Sequence, residues 1–286
     1  MLFTRPDGTQ VKDLALTRRI MPFMMKTRTE SAVYFEQHID LTRTQAFIDA
    51  FNTAHPDKRV TFFHVFLWAA VHGLDLRPRM NRFVMGSRIW QRDGIWISYS
   101  AKKKLDDESP MVVIKRRFEP GQTFEQFVDF IYADLKEGRS DKKSHVDKEL
   151  RLFLSLPAPL LRWGVKLLRW LDSWNLLPAS FIHPDPMYAS LFIANLGSVT
   201  LDSAYHHLYE YGNIPLFAVI GRVQELSGPH GPYRGVSVKY SFDERIEDGL
   251  YAAGALRILK ELCEDPAKGP PQRAQLTAGA QPAVST

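Results

Sequence analysis

The sequence predicts an α/β sandwich built on a mixed sheet. Strand-like and helix-like segments interleave along the chain, and they do so without a strict β-α-β period. The C-terminal part carries three strand-like segments before one closing helix. The 286 residues suffice for one large or two small domains with a sizeable core. An apolar fraction of 45% with 24% charged residues is that of a soluble globular protein, and six Trp add to the material for burial.

Each element has a local reason. Residues 12–28, with the run LALTRRIMPFMMK, predict an opening helix in which Pro22 must occupy a first turn or mark a break. Ala32–Leu41 alternates and reads as a strand. Thr42–Thr53 begins with hydroxyl capping chemistry and continues as a helix. Thr61–Leu76 is a second helix, apolar enough to be buried on most sides. Arg88–Gln91 and Ile95–Ala101 flank Arg92-Asp93-Gly94, a hairpin signal. Met111–Phe118 is a strand, and Thr123–Gly138 a helix with Phe124, Phe127, Val128, Ile131 and Leu135 on one stripe. Ser190–Asn195, Leu216–Val223 and Val236–Asp243 are strands, and Gly249–Glu264 closes the fold as a helix.

Residues 140–186 stand apart as an amphipathic helical insertion. From Leu160 on, Trp163, Lys166, Leu167, Trp170 and Trp174 recur at helical spacing, with Arg162, Lys166 and Arg169 as a basic stripe. Such a helix docks on its own core or a neighbouring subunit, or on a membrane surface or protein partner through 150–177. Residues 267–286 lose aromatics and periodicity, and are expected to be a disordered tail.

A net charge of +5 permits weak attraction to anionic partners and gives no argument for nucleic acid. The single cysteine, Cys263, excludes an intrachain disulfide and a cysteine-based metal site, and fits a reducing compartment. No other metal site is expected. The N-terminus lacks an apolar run of signal-peptide length. Pro157, Pro159, Arg162, Lys166, Arg169 and Asp172 interrupt the longest apolar stretch, which makes it a poor membrane span. The expected location is cytoplasmic, with attachment at a membrane surface as the alternative.

Four segments carry a family resemblance. SVKYSFDERIEDGLYAAGALRILKELCEDP contains Asp243-Glu244-Arg245-Ile246-Glu247-Asp248-Gly249, similar to a family motif that reads Asp-His-Arg-x-x-Asp-Gly. LFIANLGSV (Leu191–Val199) is similar to a Phe-Thr-Ile-Ser-Asn-Leu-Gly strand. FHVFLWAAVHGLDLRPRMNRFVMGSRIWQRDGIWISYSA and RRIMPFMMKTRTESAVYFEQHIDLT match the preceding helices and strands. Together they resemble the chloramphenicol acetyltransferase-like superfamily, above all the catalytic core of 2-oxoacid dehydrogenase (dihydrolipoamide) acyltransferases. The likeness runs over residues 12–266 outside the insertion.

The resemblance implies a two-layer sandwich with a mixed sheet, a core domain over 1–266, and a homotrimer with its active site between subunits. It also implies a coenzyme A (CoA) thioester as co-substrate, with no covalently bound cofactor. No lipoyl or subunit-binding segment precedes the core, which argues against an ordinary dehydrogenase-complex component.

In the family, the motif histidine takes a thiol proton and a Ser or Thr steadies the oxyanion. Here Glu244 occupies the histidine position. A free Glu titrates near ~4.3 against ~8.5 for a thiol, so it needs burial to act as a base. Otherwise it is a structural carboxylate paired with Arg245 or Arg257. Ala194 falls at the hydroxyl position, with Ser190 or Ser198 as substitutes and Asn195 in the same segment; one such donor is worth ~3 kcal/mol.

Asp248 and Gly249 match the motif, and by resemblance Asp248 pairs with Arg18 or Arg19. His206 and His207 are a further candidate base, although adjacent histidines diverge on a helix or strand and suit no metal. His64 and His72 are expected in the core. Two functions follow: a CoA-dependent acyltransferase-like protein with a degenerate motif, or a silent trimeric scaffold that binds an acyl ligand, a membrane surface or a protein partner.

Overall fold

The computed structural model describes residues 4–102, 111–138, 155–229 and 231–272. In chain order they form β1 (Gly8–Gln10), α1 (Leu16–Met24), β2 (Ala32–Asp40), α2 (Thr42–Ala54), α3 (Phe62–Leu76), β3 (Arg82–Met85), β4 (Arg88–Arg92), β5 (Ile95–Lys102), β6 (Met111–Phe118) and α4 (Phe124–Gly138). After the insertion's first residues come α5 (Ala158–Ser173), α6 (Ala179–Ile182), β7 (Leu191–Asn195), β8 (Leu216–Gly228), β9 (Gly231–Asp243) and α7 (Gly249–Glu264). A 3₁₀ turn at Pro266–Lys268 follows, so the expected 267–286 tail starts with structured residues; from 273 on it lies outside the described residues.

A six-stranded sheet runs β2-β9-β8-β7-β5-β6. β7 is parallel to both its neighbours and every other pairing is antiparallel, so the sheet is mixed. The two-residue side-chain period sorts its faces. Leu191, Ile193, Ala218, Ile220, Val236, Val238 and Tyr240 meet α2, α3, α4 and α7 in the main core, where Val65, Phe66 and Leu67 are fully buried. The alternate residues Phe192, Ala194, Phe217 and Val219 face the other way, against Leu208 and Ile214.

A second, three-stranded sheet, β1-β4-β3, places Phe83 and Trp90 under the guanidinium of Arg5.

Two expectations need correction. Arg92-Asp93-Gly94 does not close a hairpin: β4 pairs with β1 and β3, whereas β5 pairs with β6 and β7. Gly94, at φ 76°, turns the chain from one sheet into the other. The hairpin lies one strand earlier, at Gly86 and Ser87, with φ of 58° and 57°. A Cβ on Gly86 would also come within 2.2 Å of the Ser173 carbonyl oxygen, so this turn abuts the end of α5. Pro22 is neither in a first turn nor at a break. It is buried in the last turn of α1, where only one helical bond is forgone and Met25 N–H still reaches Met21 O.

The insertion is anchored by buried charge. Arg5 Nη1 donates to Asp172 Oδ1 at 2.8 Å and to Asn175 Oδ1 at 3.0 Å, while its Nε donates to Asp7 at 2.9 Å. Tyr188 donates its hydroxyl to the other Asp172 oxygen at 2.9 Å. Leu168 and Leu171 pack beside Leu177, Ile182 and Tyr188. The expected docking on the core therefore involves one side of α5 only. Trp163, Trp170 and Trp174 stay 70%, 55% and 47% exposed.

Candidate active site

Strand β9 ends at Asp243, and the motif loop runs from there to the start of α7. Asp243 is fully buried and accepts from Arg245 three times, Nε at 2.8 Å, Nη2 at 2.7 Å and the backbone N–H at 3.1 Å, and from Ser31 Oγ at 2.9 Å. Arg245 spends its remaining nitrogen, Nη1, on Met25 O at 3.0 Å. A bidentate buried pair of this kind fixes the loop strongly. Ile246, also fully buried, packs on Val84 and Ile89.

Glu244 sits between these anchors. Its N–H donates to Ser31 O at 3.0 Å, and its carbonyl accepts from Arg18 Nη1. The side chain is half-buried, and among the described residues no hydrogen bond or ion pair engages its carboxylate. The expected structural pairing with Arg245 or Arg257 is not formed, because Arg245 is taken by Asp243.

Asp248 does not pair with Arg18 or Arg19. It is exposed and caps α7, accepting Tyr251 N–H at 2.8 Å, while Arg18 serves the Glu244 carbonyl and Arg19 is exposed. Gly249 begins that helix, and a Cβ there would meet nothing within 4 Å. The second buried acid of the motif, after Asp243, is Glu247, which sequence reasoning missed. It pairs with Arg82 at 3.2 Å and Arg79 at 3.3 Å. The run Arg77–Arg82 carried the signal, but several acids close together gave no way to tell which one turns inward.

One candidate hydroxyl is fully buried and the other is spent. Ser190 is fully buried and accepts Trp96 N–H at 3.0 Å, tying β7 to β5. Ser198 is exposed and donates to Asn195 O at 2.7 Å, within a 3₁₀ turn at Leu196–Val199. That turn presses on the bulge in β8: a Cβ on Gly197 would lie 2.5 Å from Gly221 O. Ala194 points away from the main core, against Phe192 and Phe217.

His206 and His207 do not diverge. Residues 201–209 form neither helix nor strand, and the two rings stack at 4.6 Å, with His206 also flat on Phe217 at 4.0 Å. Burial lowers the His206 pKa, and its Nδ1 lies 2.7 Å from His207 O. His72 is in the core against Trp68, whereas half-buried His64 accepts Thr61 N–H in a capping box. Among the described residues no three His, Cys, Asp or Glu side chains converge as a metal site.

Beneath β9, between α3 and α7, lies an apolar cavity of about 70 Å³ beside Phe66, Leu74, Tyr240 and Leu256. It holds no room for a long acyl chain.

No protein-family model matches the chain, and no curated protein does. Solved structures match along nearly its whole length. A probable dihydrolipoamide acetyltransferase from Listeria monocytogenes superposes with TM-score 0.56 at 14% identity, covering 93% of this chain and 98% of that one. The cubic core of the pyruvate dehydrogenase multienzyme complex gives 0.58 at 14%, covering 91% and 94%. A chloramphenicol acetyltransferase gives 0.55 at 9%, covering 90% and 98%. The chain has the chloramphenicol acetyltransferase-like fold, in the form shared with dihydrolipoamide acyltransferase cores. At these identities the likeness establishes the fold alone.

Proposed function

We propose that this chain is a CoA-dependent acyltransferase-like protein, assembled as a homotrimer, in which Glu244 takes the place of the motif histidine. One observation carries the reading: the loop pins the Glu244 backbone on both sides while leaving its carboxylate uncommitted. A fixed frame around a free side chain is what a reacting group requires. In the reaction the carboxylate accepts the CoA thiol proton, the sulfur bonds to the acyl carbonyl carbon, and the departing thiolate or alkoxide recovers the proton. Ser190 is fully buried and the Ser198 proton is spent on Asn195 O, so the oxyanion donor must come from the backbone or a second subunit.

Assembly is supported by apolar residues left bare next to the loop. Leu250 is 80% exposed, and on α1 Leu16, Phe23 and Met24 are 79%, 60% and 66% exposed. A second subunit over this face would also enclose Glu244. The burial of Ser190 and the spent proton of Ser198 favour the second reading, a silent scaffold of the same fold.

Purified protein mixed with acyl-CoA and a panel of alcohol and thiol acyl acceptors, with freed CoA measured by chromatography, separates the two. Glu244→Gln should cut CoA release by about 100-fold or more. Release unchanged by that substitution removes Glu244 from the mechanism, and no release from the wild type selects the scaffold.

A further inference from the structure

A cleft of about 230 Å³ opens between the end of α1, the β3–β4 turn, α5 and the loop 210–212, lined by Lys26, Arg28, Arg169, Asp172, Glu210 and Arg245 among others. Its charges do not cancel pairwise. Arg245 is neutralised by Asp243, and Asp172 by Arg5. Arg28 is buried and has no carboxylate within ion-pair distance among the described residues. Its Nη1 donates to Tyr209 O and Glu210 O at 3.1 and 3.2 Å, and its Nη2 to Val84 O at 3.2 Å. Among the described residues its Nε has no hydrogen-bond partner.

A guanidinium keeps its charge in a protein, and Arg28 touches only carbonyl oxygens while Asp243, Glu210 and Asp172 act on it from beyond contact against burial and Arg245, which leaves it under-compensated. Burial accordingly lowers the Arg28 pKa from its ordinary value. At the mouth, Lys26 is exposed and its amine has no hydrogen-bond or ion-pair partner among the described residues, although Glu30 Oε2 accepts its backbone N–H at 3.0 Å, and Arg169 only approaches Glu210 at 3.9 Å. Glu210 itself is partly occupied, its Oε1 accepting Thr29 N–H at 3.0 Å and Thr29 Oγ1–H at 3.1 Å.

We propose that this cleft is an anion site that takes a phosphate group, either inorganic phosphate or a phosphate monoester, with Arg28 at its base and Lys26 and Arg169 at its rim. Its volume lies below the roughly 300–1,000 Å³ of pockets that enclose drug-sized ligands, so it accommodates a group and its water rather than a whole cofactor. The site stands apart from the acyl-transfer reading, because it requires nothing of Glu244.

Calorimetric titration of the full-length protein with inorganic phosphate tests it. Wild type should bind saturably. Lys26→Gln with Arg169→Gln, which disturbs no buried contact, should weaken binding by about tenfold for each charge-assisted hydrogen bond removed. Glu210→Gln, which keeps the acceptor for Thr29, should tighten it. Competition by CoA but not by dephospho-CoA assigns the monoester as the source, and competition by neither assigns the free anion. Absence of saturable phosphate binding overturns the proposal, as does a double variant that binds as tightly as wild type.

Discussion

The motif loop and the insertion helix solve opposite problems. In the loop, buried bonds fix the backbone and one carboxylate is left free: Asp243 and Arg245 lock each other, and Glu244 rides between them. In the insertion, the bonds gather at the C-terminal end of α5, through Arg5, Asp172 and Tyr188, and a whole apolar stripe is left free. A site that positions one group must hold everything around it. A surface that meets a partner needs only to be held at one edge.

The comparison breaks most sharply at Arg245. Removing one member of a fully buried ion pair strands the other, which typically costs 3–5 kcal/mol. Arg245→Met should therefore lower unfolding stability by about that much in urea titration. A loss under about 1 kcal/mol would show that the loop is not what the pair holds.

The sequence made the loop's position legible and hid its wiring. Alternation across Ser190–Asn195 and Val236–Asp243 identified strands, because a half-buried strand must alternate whatever it pairs with. Pairing itself was not legible. Arg92-Asp93-Gly94 has hairpin composition, yet its glycine serves a change of sheet, which depends on partners far away in the chain. Glu244 could be placed by its motif. That Asp243 rather than Glu244 takes Arg245 depends on which side chain faces inward at the end of β9. Arg5 and Asp172, 167 residues apart, gave no local signal at all.

A smaller effect is expected under the insertion, at Lys115. Its amine donates to Ile182 O at 3.0 Å and Asp185 O at 3.1 Å, above the Trp96 ring. Burial lowers its pKa to about 7; Arg92 pushes the same way and Asp185 opposes. The unfolded chain, titrating near ~10.4, binds more protons than the folded one between those values. Stability should thus rise with pH from about 7 to ~8, below the range where buried Cys263 and then Tyr188, Tyr211 and Tyr240, all raised by burial, reverse the sign. Lys115→Gln should flatten that rise in melts recorded across the window. An unchanged slope would assign it to other groups.

The smallest effect on stability, and the most informative about the insertion, belongs to Trp170. Its ring is 55% exposed beside Trp174, at 6.2 Å between centroids, so Trp170→Glu removes little buried surface and should shift stability by no more than about 0.5 kcal/mol. The same change puts an anion into a stripe bordered by Arg162 and Lys166, both exposed. If the stripe meets an anionic lipid surface, the tryptophans enter the interface and the basic residues meet the headgroups, and a carboxylate at the centre opposes both. Flotation with anionic liposomes should then recover wild type and leave Trp170→Glu behind. Equal recovery of the two proteins rejects the lipid surface and leaves the stripe to a protein partner, for which subunit association measured on the same pair of proteins is the direct readout.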